Sequence, residues 1–263
     1  MKKIELKKVN HSVKIGQECG EFEPNITEDS LFIEDGEIVG FFIKSISEHS
    51  EKLMKLINIA NSEFRSKKVP KSEMKRSTGV NTKHYGNDHN VEQLSAIIGS
   101  IPPKPLMRRP YPSISSVHTS KTAQNFIKAM FLAAKESEEI IKKIAPKIYK
   151  KQIKLIEENV PKKWRFGKMF TSSISNYNIS APFHRDTGNI EGCVNVIITK
   201  KKFATGGDLH VPDYNATMDS ADNSMLVYPA WKNVHGVTPI KPFREDGYRN
   251  SLIFYPLKAF KNH

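Results

Sequence analysis

His184 and Asp186 are the first residues in the sequence whose types and spacing suggest chemistry. They lie two positions apart in the segment FHRDTGN, residues 183–189, directly after the polar β-like run TSSISNYNIS. Side chains at positions i and i+2 of a strand leave from the same face, so this imidazole and this carboxylate would point the same way. The pair therefore suits a metal, although an ordinary polar turn would also account for it.

His235 is the third ligand that the sequence offers. It stands in WKNVHGVTPI, after the strand-like SMLVYP. Two histidines and one carboxylate occupy one face of an octahedral metal and leave the other face open, as in non-haem Fe(II) oxygenases. Zinc and manganese also accept these ligands, so the ligand types do not name the metal. We do not expect His210 to be a fourth ligand, because a site that activates dioxygen keeps positions open.

Arg249 follows His235 by fourteen residues, at the start of the apolar run YRNSLIFYP. An arginine there is costly to bury unless it meets an anion, and its fork geometry suits a carboxylate. Ser251 lies two residues further along, on the same face of the predicted strand, where its hydroxyl can donate to that carboxylate. A structural ion pair is the alternative, but the preceding His-x-Asp and histidine favour a binding site.

Taken together, the segments HRDTGN, VHGVTP and YRNSLIFYP resemble the Fe(II)/2-oxoglutarate-dependent dioxygenases. More narrowly, they are similar to the TET/JBP branch, which oxidises the methyl group of 5-methylpyrimidines in nucleic acid. The branch carries His-Arg-Asp followed three residues later by Asn, here Asn189, and a last strand reading Arg-x-Ser-Leu-x-Phe-Tyr, here residues 249–255. The resemblance covers about residues 170–258.

The resemblance implies a double-stranded β-helix (jelly roll) that uses Fe(II), 2-oxoglutarate as cosubstrate, and dioxygen. It implies iron at the metal ligands, which are also the catalytic residues: His184, Asp186 and His235. It implies that Arg249 and Ser251 hold the distal carboxylate of 2-oxoglutarate. Asn176 and Tyr177, on the strand that leads to the first histidine, are expected to reach a carboxylate or the C1 end of the same molecule. The turn Gly206-Gly207-Asp208-Leu209 resembles the one before a pocket-lining strand in this superfamily, and a plain β-turn explains it equally well.

Two residues would bind the substrate by the same resemblance. Asn189 would contact the flipped base, because an amide can meet a Watson–Crick edge, and Tyr255 would stack on it. Their alternatives are a turn former and an ordinary barrel residue. The branch carries a base-reading histidine where this chain has Leu257, which leaves the preference between 5-methylcytosine and thymine open. Two cysteines cannot build the branch's cysteine-rich zinc region, so the chain resembles a phage or microbial relative.

A net charge of +13 points to a polyanionic partner, although a well-solvated surface is the simpler explanation. Residues 65–109 contain ten basic and three acidic residues in a loop-like composition rich in Gly and Pro. We expect these basic loops to hold the DNA backbone on either side of an extruded base. No apolar run approaches the roughly 18 residues of a membrane span, so we expect an intracellular protein without a membrane partner, monomeric by default.

The elements that position these residues divide the chain into two parts. SEHSEKLMKLINIANSEF predicts a helix with Ser47 or Ser50 as its N-cap, and residues 120–158 predict a longer helix that Pro146 kinks or divides. DSLFIEDGEIVGFFIKSI predicts two strands joined by an Asp35-Gly36 turn. From Met169 onward, short strands alternate with Gly and Pro turns.

The predicted fold is therefore α+β, with a cupin-like jelly-roll core in the C-terminal half and a helical N-terminal half packed on it. We expect one dioxygenase domain over residues 1–263, in which residues 1–168 supply strands, helices and basic loops, and residues 169–263 form the core. The predicted activity is hydroxylation of the methyl group of 5-methylcytosine or thymine in DNA. The alternatives are the same chemistry on a protein side chain or a small metabolite, and a non-catalytic module that binds nucleic acid.

Overall fold

The structure is a computed structural model that describes residues 1–73, 92–104, 106 and 108–263. Three of the basic residues considered above, Lys75, Arg76 and Lys83, lie outside these ranges. The helices are α1 (Glu51–Arg65), α2 (Gln124–Ile144) and α3 (Pro146–Asn159), and a short 3-10 turn spans Lys162–Trp164. The strands, in chain order, are β1 (Lys2–Glu5), β2 (Ser30–Glu34), β3 (Glu37–Ile43), β4 (Ser72–Glu73), β5 (Leu94–Ile101), β6 (Ser113–Ile114), β7 (Ser172–Tyr177), β8 (Ala181–His184), β9 (Asn195–Lys202), β10 (Ala204–Gly206), β11 (Leu209–Val211), β12 (Ala216–Met218), β13 (Met225–Tyr228), β14 (His235–Val237), β15 (Ile240–Pro242) and β16 (Tyr248–Tyr255).

Two sheets face each other and enclose the interior of the molecule. Among the described residues, the large sheet has the order β1-β2-β3-β13-β9-β16-β7-β5-β4, with β6 paired to β5, and the small sheet has the order β12-β11-β14-β8. A ribbon of β10 and β15 lies beside them. This arrangement confirms the predicted α+β class with a double-stranded β-helix core. The N-terminal half contains strands as well as helices, and these strands extend the large sheet on both sides.

The three helices pack on the outer face of the large sheet. Ser50 caps α1 by accepting a hydrogen bond from the N–H of Leu53 at 3.1 Å, and the Asp35-Gly36 turn joins β2 to β3 as predicted. Pro146 divides the long helical stretch, because it forms the first turn of α3, where its missing N–H is not needed. Among the described residues, no helix is long and apolar enough to cross a membrane.

Strand β16 shows how one segment serves both faces of the large sheet. Leu252 and Phe254 are fully buried in the apolar core beneath the helices. Alternate residues of the strand, which include Arg249, Ser251 and Tyr255, point to the opposite side and line the space between the two sheets. Because side chains alternate along β16, its polar side chains line the interior cavity and its apolar side chains pack against the helices.

Candidate active site

The three predicted metal ligands come together on the small sheet. His184 ends β8 and His235 begins β14, and the antiparallel pairing of these strands places the two residues directly opposite each other. Their rings are 4.4 Å apart between centroids, and Asp186 follows in the loop after β8. One ligand atom from each of the three residues lies within 4.8 Å of the others. The three predicted residues therefore do come together, although the strand ends at His184 and it is the loop, not strand alternation, that places Asp186 beside it.

Both histidines are held in the tautomer that binds a metal. Nδ1 of His184 lies 2.7 Å from the carbonyl oxygen of Pro182, and Nδ1 of His235 lies 3.1 Å from that of Asn233. A carbonyl oxygen only accepts, so each Nδ1 carries the hydrogen and each Nε2 is the unprotonated nitrogen. A backbone acceptor behind each imidazole is a usual support for a metal ligand.

Asp186 is positioned by a chain of amides that the sequence analysis missed. Asn195 donates from Nδ2 to Oδ2 of Asp186 at 2.9 Å, and Asn189 donates from Nδ2 to Oδ1 of Asn195 at 2.8 Å. The backbone N–H of Asp186 donates to the carbonyl of Ala230 at 3.1 Å. A signal for Asn195 was present, since it is the one polar residue within the apolar run CVNVII.

The cluster opens into a cavity of about 270 Å³ between the two sheets. At the end of the cavity that holds the cluster, the side chains of His184 and Asp186 are 31% and 32% exposed. At the other end, Arg249 is only 3% exposed and packs against Gly207, just before β11. We refer to these as the open end and the closed end of the cavity.

Arg249 is an unsatisfied cation at the closed end. Its Nε is buried and has no hydrogen-bond partner within the described part of the chain. Burial lowers the pKa of Arg249 to about 10, and the nearby negative charge of Asp208 opposes this shift. Ser251 faces the same cavity, with its hydroxyl 3.5 Å from the carbonyl oxygen of Asn176. A buried guanidinium with an orphaned donor is suited to binding a carboxylate.

The turn before β11 supports this arginine. Gly207 has a φ of 77°, and a Cβ at that position would lie 3.0 Å from both Cδ and Nε of Arg249. Asp208 accepts hydrogen bonds from the backbone and the hydroxyl of Ser220 at 2.7 and 2.9 Å. Lys201, directly opposite Arg249 on β9, lies 4.0 Å from the same carboxylate. The Gly-Gly-Asp-Leu segment is therefore more than a turn, because it shapes the cavity wall around the arginine.

The prediction for Tyr177 is contradicted by the structure. The ring of Tyr177 stacks on that of Tyr248 at 5.5 Å and packs against the core beneath the helices, on the far face of the large sheet. Its neighbour Asn176 lines the cavity instead, with a buried Oδ1 that has no hydrogen-bond partner among the described residues. Adjacent residues of a strand face opposite ways, so only one of the two can reach the cavity.

Both predicted base-contacting residues line the cavity at its open end. Asn189 is buried, takes part in the amide chain to Asp186, and forms a β-bridge with Leu257. Tyr255 lines the same cavity as Asp186, and burial first and then the charge of that carboxylate raise the pKa of its hydroxyl. Leu257, which replaces the base-reading histidine of the branch, also lines the cavity. These side chains therefore surround the metal ligands on the exposed side.

His210 stands apart from the cluster, as predicted. Its ring stacks on Phe22 at 3.7 Å between centroids, and its Nδ1 lies 2.8 Å from the hydroxyl of Thr217. Burial lowers its pKa to about 4, which keeps the ring neutral at ordinary pH. His210 is thus a packed residue on the outer side of the small sheet.

The described parts of the basic segment, residues 65–73, 92–104, 106, 108 and 109, lie at two ends of a strand. Strand β5 runs antiparallel to β7, with Leu94 opposite Tyr177 and Gly99 opposite Ser172. Arg65 stacks over the ring of Tyr248, at the closed end, whereas the residues after Ile101 emerge beside the open end. The two described parts of the segment are therefore separated by the length of a strand of eight residues.

The cluster, the cavity and the buried arginine within a double-stranded β-helix define the class of Fe(II)/2-oxoglutarate-dependent dioxygenases. The sequence model of the Tet_JBP family, described as the oxygenase domain of the 2OGFeDO superfamily, matches residues 105–258, which is more than half of the chain. The chain belongs to this family. It is therefore a dioxygenase that uses Fe(II), 2-oxoglutarate and dioxygen, and the donor set of the cluster fits the iron.

Similarity to one solved structure, at a TM-score above 0.5, supports the fold and not the function. The chain is similar to NgTET1 in complex with 5mC DNA, at 13% identity and a TM-score of 0.57, over 95% of this chain and 84% of that one. It is also similar to a 2OG-Fe(II) oxygenase family protein from Burkholderia pseudomallei, at 13% identity and a TM-score of 0.41, over 77% and 78% of the two chains. No curated protein matches the chain in sequence.

Proposed function

We propose that this dioxygenase hydroxylates the methyl group of a 5-methylpyrimidine, either 5-methylcytosine or thymine, in DNA. The observation that carries the proposal is a cavity whose metal cluster lies at the open end, beside an aromatic ring and a buried amide, while its anion-binding arginine lies at the closed end. Membership of the Tet_JBP family and the similarity of fold to NgTET1 support the choice of substrate. We also propose that residues 1–263 act as one domain, because both halves supply strands to the large sheet.

In this proposal His184, Asp186 and His235 hold the iron. Two neutral imidazoles and one carboxylate are ligands that Fe(II) accepts, and their placement on one side leaves positions for other molecules. With 2-oxoglutarate and dioxygen, bound Fe(II) supplies the oxidation that replaces a C–H bond by C–OH and converts the cosubstrate to succinate and carbon dioxide. The protein orients the reactants and limits side reactions.

Arg249 and Ser251 hold the distal carboxylate of 2-oxoglutarate in this account. The orphaned Nε of Arg249 and the unpaired Oδ1 of Asn176, both of them buried, are polar groups that a bound molecule would satisfy. The cosubstrate would span the cavity from the closed end to the iron. Of the two neighbouring residues that were expected to reach the cosubstrate, Asn176 does so in this account and Tyr177 does not.

Tyr255 and Asn189 contact the target base in the same proposal. The ring of Tyr255 offers a stacking surface to a base that has left the duplex. Asn189 already donates through Nδ2 to Asn195, so Oδ1 is the atom with which it meets a donor of the base edge. Both 5-methylcytosine and thymine carry such a donor. The apolar side chain of Leu257 forms a hydrogen bond with neither 5-methylcytosine nor thymine. Tyr255, Asn189 and Leu257 therefore accommodate either base.

Nucleoside mass spectrometry tests the proposal. The enzyme is incubated with Fe(II), 2-oxoglutarate and two duplexes of one sequence, one with 5-methylcytosine and one with unmodified cytosine, both containing thymine. We expect a 5-hydroxymethyl nucleoside from at least one of the two bases, and the comparison assigns which. Succinate formation without any hydroxymethyl nucleoside would favour a protein or metabolite substrate, and the absence of both products would favour a non-catalytic binding module.

A further inference from the structure

Apart from Arg65, which stacks on Tyr248, the cations considered around the closed end of the cavity are paired with carboxylates. Lys44, Lys200, Lys201 and Lys202 meet Asp219, Asp222, Asp208 and Asp246 respectively, and Lys241 meets Glu21. Arg244 also lies 3.8 Å from Asp246. Their charges are therefore neutralised locally, and this end of the molecule presents little net positive charge to a distant anion.

The cations around the open end differ from them. Six exposed cations stand on the segments next to it, and within the described residues none of them lies within 4 Å of a carboxylate; we call them the rim cations: Lys104, Arg108, Lys163, Arg185, Lys258 and Lys261. Arg185 stands between the metal ligands His184 and Asp186 in the sequence. The rim cations thus concentrate positive charge at the mouth of the cavity.

Direct contacts join the segments that carry the rim cations. The N–H of Lys258 donates to the carbonyl of Gly188 at 2.9 Å, which ties the C-terminal segment to the loop after the metal ligands. Trp164 stacks on Phe260 at 6.1 Å and donates from Nε1 to the carbonyl of His263 at 3.1 Å. The hydroxyl of Ser100, at the end of β5, donates to the carbonyl of Trp164 at 2.9 Å. The segments that carry the rim cations are therefore joined to one another.

We propose that the rim cations bind the phosphate backbone of DNA on the two sides of the base that enters the cavity. The proposal rests on the proposed function and adds the surface that delivers the base. Exposed cations without protein carboxylates beside them exchange condensed counterions of DNA at little cost, because no ion pair has to be broken first. Tyr111, which is 72% exposed and packs edge-on to His263, adds an aromatic ring to the same surface.

A charge-reversal variant of the rim tests this surface. The variant K163E/K258E/K261E is compared with K55E/K143E/K150E, which changes the net charge equally on exposed lysines of the three helices, on the far face of the large sheet. Binding to a duplex with uracil in place of thymine is measured at several salt concentrations. The absence of 5-methyl groups makes the result independent of the base chemistry. The midpoint of thermal unfolding of each variant checks its folding.

We expect the dependence of log K on log salt to become shallower by about 2–3 for the rim variant, since each phosphate contact contributes about 0.9. The helix variant should keep the slope of the wild-type protein. Equal losses in both variants, or no loss in the folded rim variant, would overturn the inference. Equally tight binding of polyglutamate and of the duplex would also overturn it, in favour of an acidic protein partner. Failure of the proposed function would show separately, as DNA binding through the rim without any hydroxymethyl nucleoside.

Discussion

The open and closed ends of the cavity differ in exposure and in charge. At the open end, His184 and Asp186 are 31% and 32% exposed while His235 is buried, and the rim cations on the adjoining segments have no carboxylate beside them among the described residues. At the closed end, a buried arginine is surrounded by lysines that are each paired with a carboxylate. The unpaired positive charge is therefore inside the cavity at one end and outside it at the other.

This difference suggests a physical basis for binding two anionic molecules, 2-oxoglutarate and DNA, at separate ends of the same cavity. A small dicarboxylate can reach the buried arginine, because the cavity of about 270 Å³ admits it. A polymer of phosphates cannot enter the cavity, but it can meet the exposed rim. The lysines at the closed end are already paired with carboxylates, so they attract the DNA backbone less than the rim cations do.

The largest expected effect on activity comes from removing a metal ligand at the open end. In His184→Ala, the iron loses one of the three ligands, and succinate formation should fall to background. His11→Ala is the matched control, because His11 pairs with Asp213 away from the cluster and should keep full activity. Full activity of His184→Ala in a succinate assay would contradict the assignment of the metal site.

The next largest effect is expected at the closed end. Arg249→Ala removes the buried cation that we propose binds the cosubstrate. Loss of one partner of such a buried charge pair typically costs about 2–5 kcal/mol, so the KM for 2-oxoglutarate should rise by about 100-fold. Arg249→Lys should give an intermediate KM, because it keeps the charge without the planar fork. Arg244→Ala, an exposed arginine at the same end, is the control. An unchanged KM for 2-oxoglutarate in both Arg249 variants would contradict the proposal that the cosubstrate binds at the closed end.

Asn195→Ala should have a smaller effect that is specific to the metal. It removes the amide that orients Asp186, and loss of such a support usually weakens metal binding by about 10- to 100-fold. The measurement is the Fe(II) concentration for half-maximal rate, while the KM for 2-oxoglutarate should stay near the wild-type value. Asn159→Ala, at the end of α3, is the control. A rise in the KM for 2-oxoglutarate alone would show that Asn195 serves the closed end instead.

Gly207→Ala should give the smallest effect. A Cβ there would press on the side chain of Arg249 at 3.0 Å, and we expect a roughly 5-fold rise in the KM for 2-oxoglutarate, or about 1 kcal/mol. Gly36→Ala is the matched control, since Gly36 also has a positive φ, 76°, but open space around it. Both variants should lose about 1–2 kcal/mol of stability from the backbone conformation, and only the first should change the KM. Equal KM values in the two variants would show that Arg249 tolerates the contact.

The sequence predicted the ligand cluster because strand periodicity and residue chemistry are local properties. Arg249 and Ser251 share a face of β16 by spacing, whereas Asp186 reaches His184 from the loop after β8, so the sequence predicted that pair correctly but for a reason that the structure does not bear out. The same reasoning did not decide between Asn176 and Tyr177, because SSISNY lacks an apolar alternation that would assign its faces. Gly207 acts on Arg249, which is distant in the sequence, and Asn195 acts on Asp186 across a loop, and strand periodicity predicts neither contact. The composition of residues 65–109 suggested one basic surface. Strand β5 instead places the described parts of this segment at opposite ends of the sheet.

The most direct test of the account is the stimulation of succinate formation by DNA. The enzyme is assayed with Fe(II), 2-oxoglutarate and either a duplex that carries 5-methylcytosine and thymine or the same duplex with cytosine and uracil, which has no 5-methyl groups. The account predicts that only the methyl-bearing duplex accelerates succinate formation, in proportion to the hydroxymethyl nucleoside produced. Equal acceleration by both duplexes, or by neither, would contradict it.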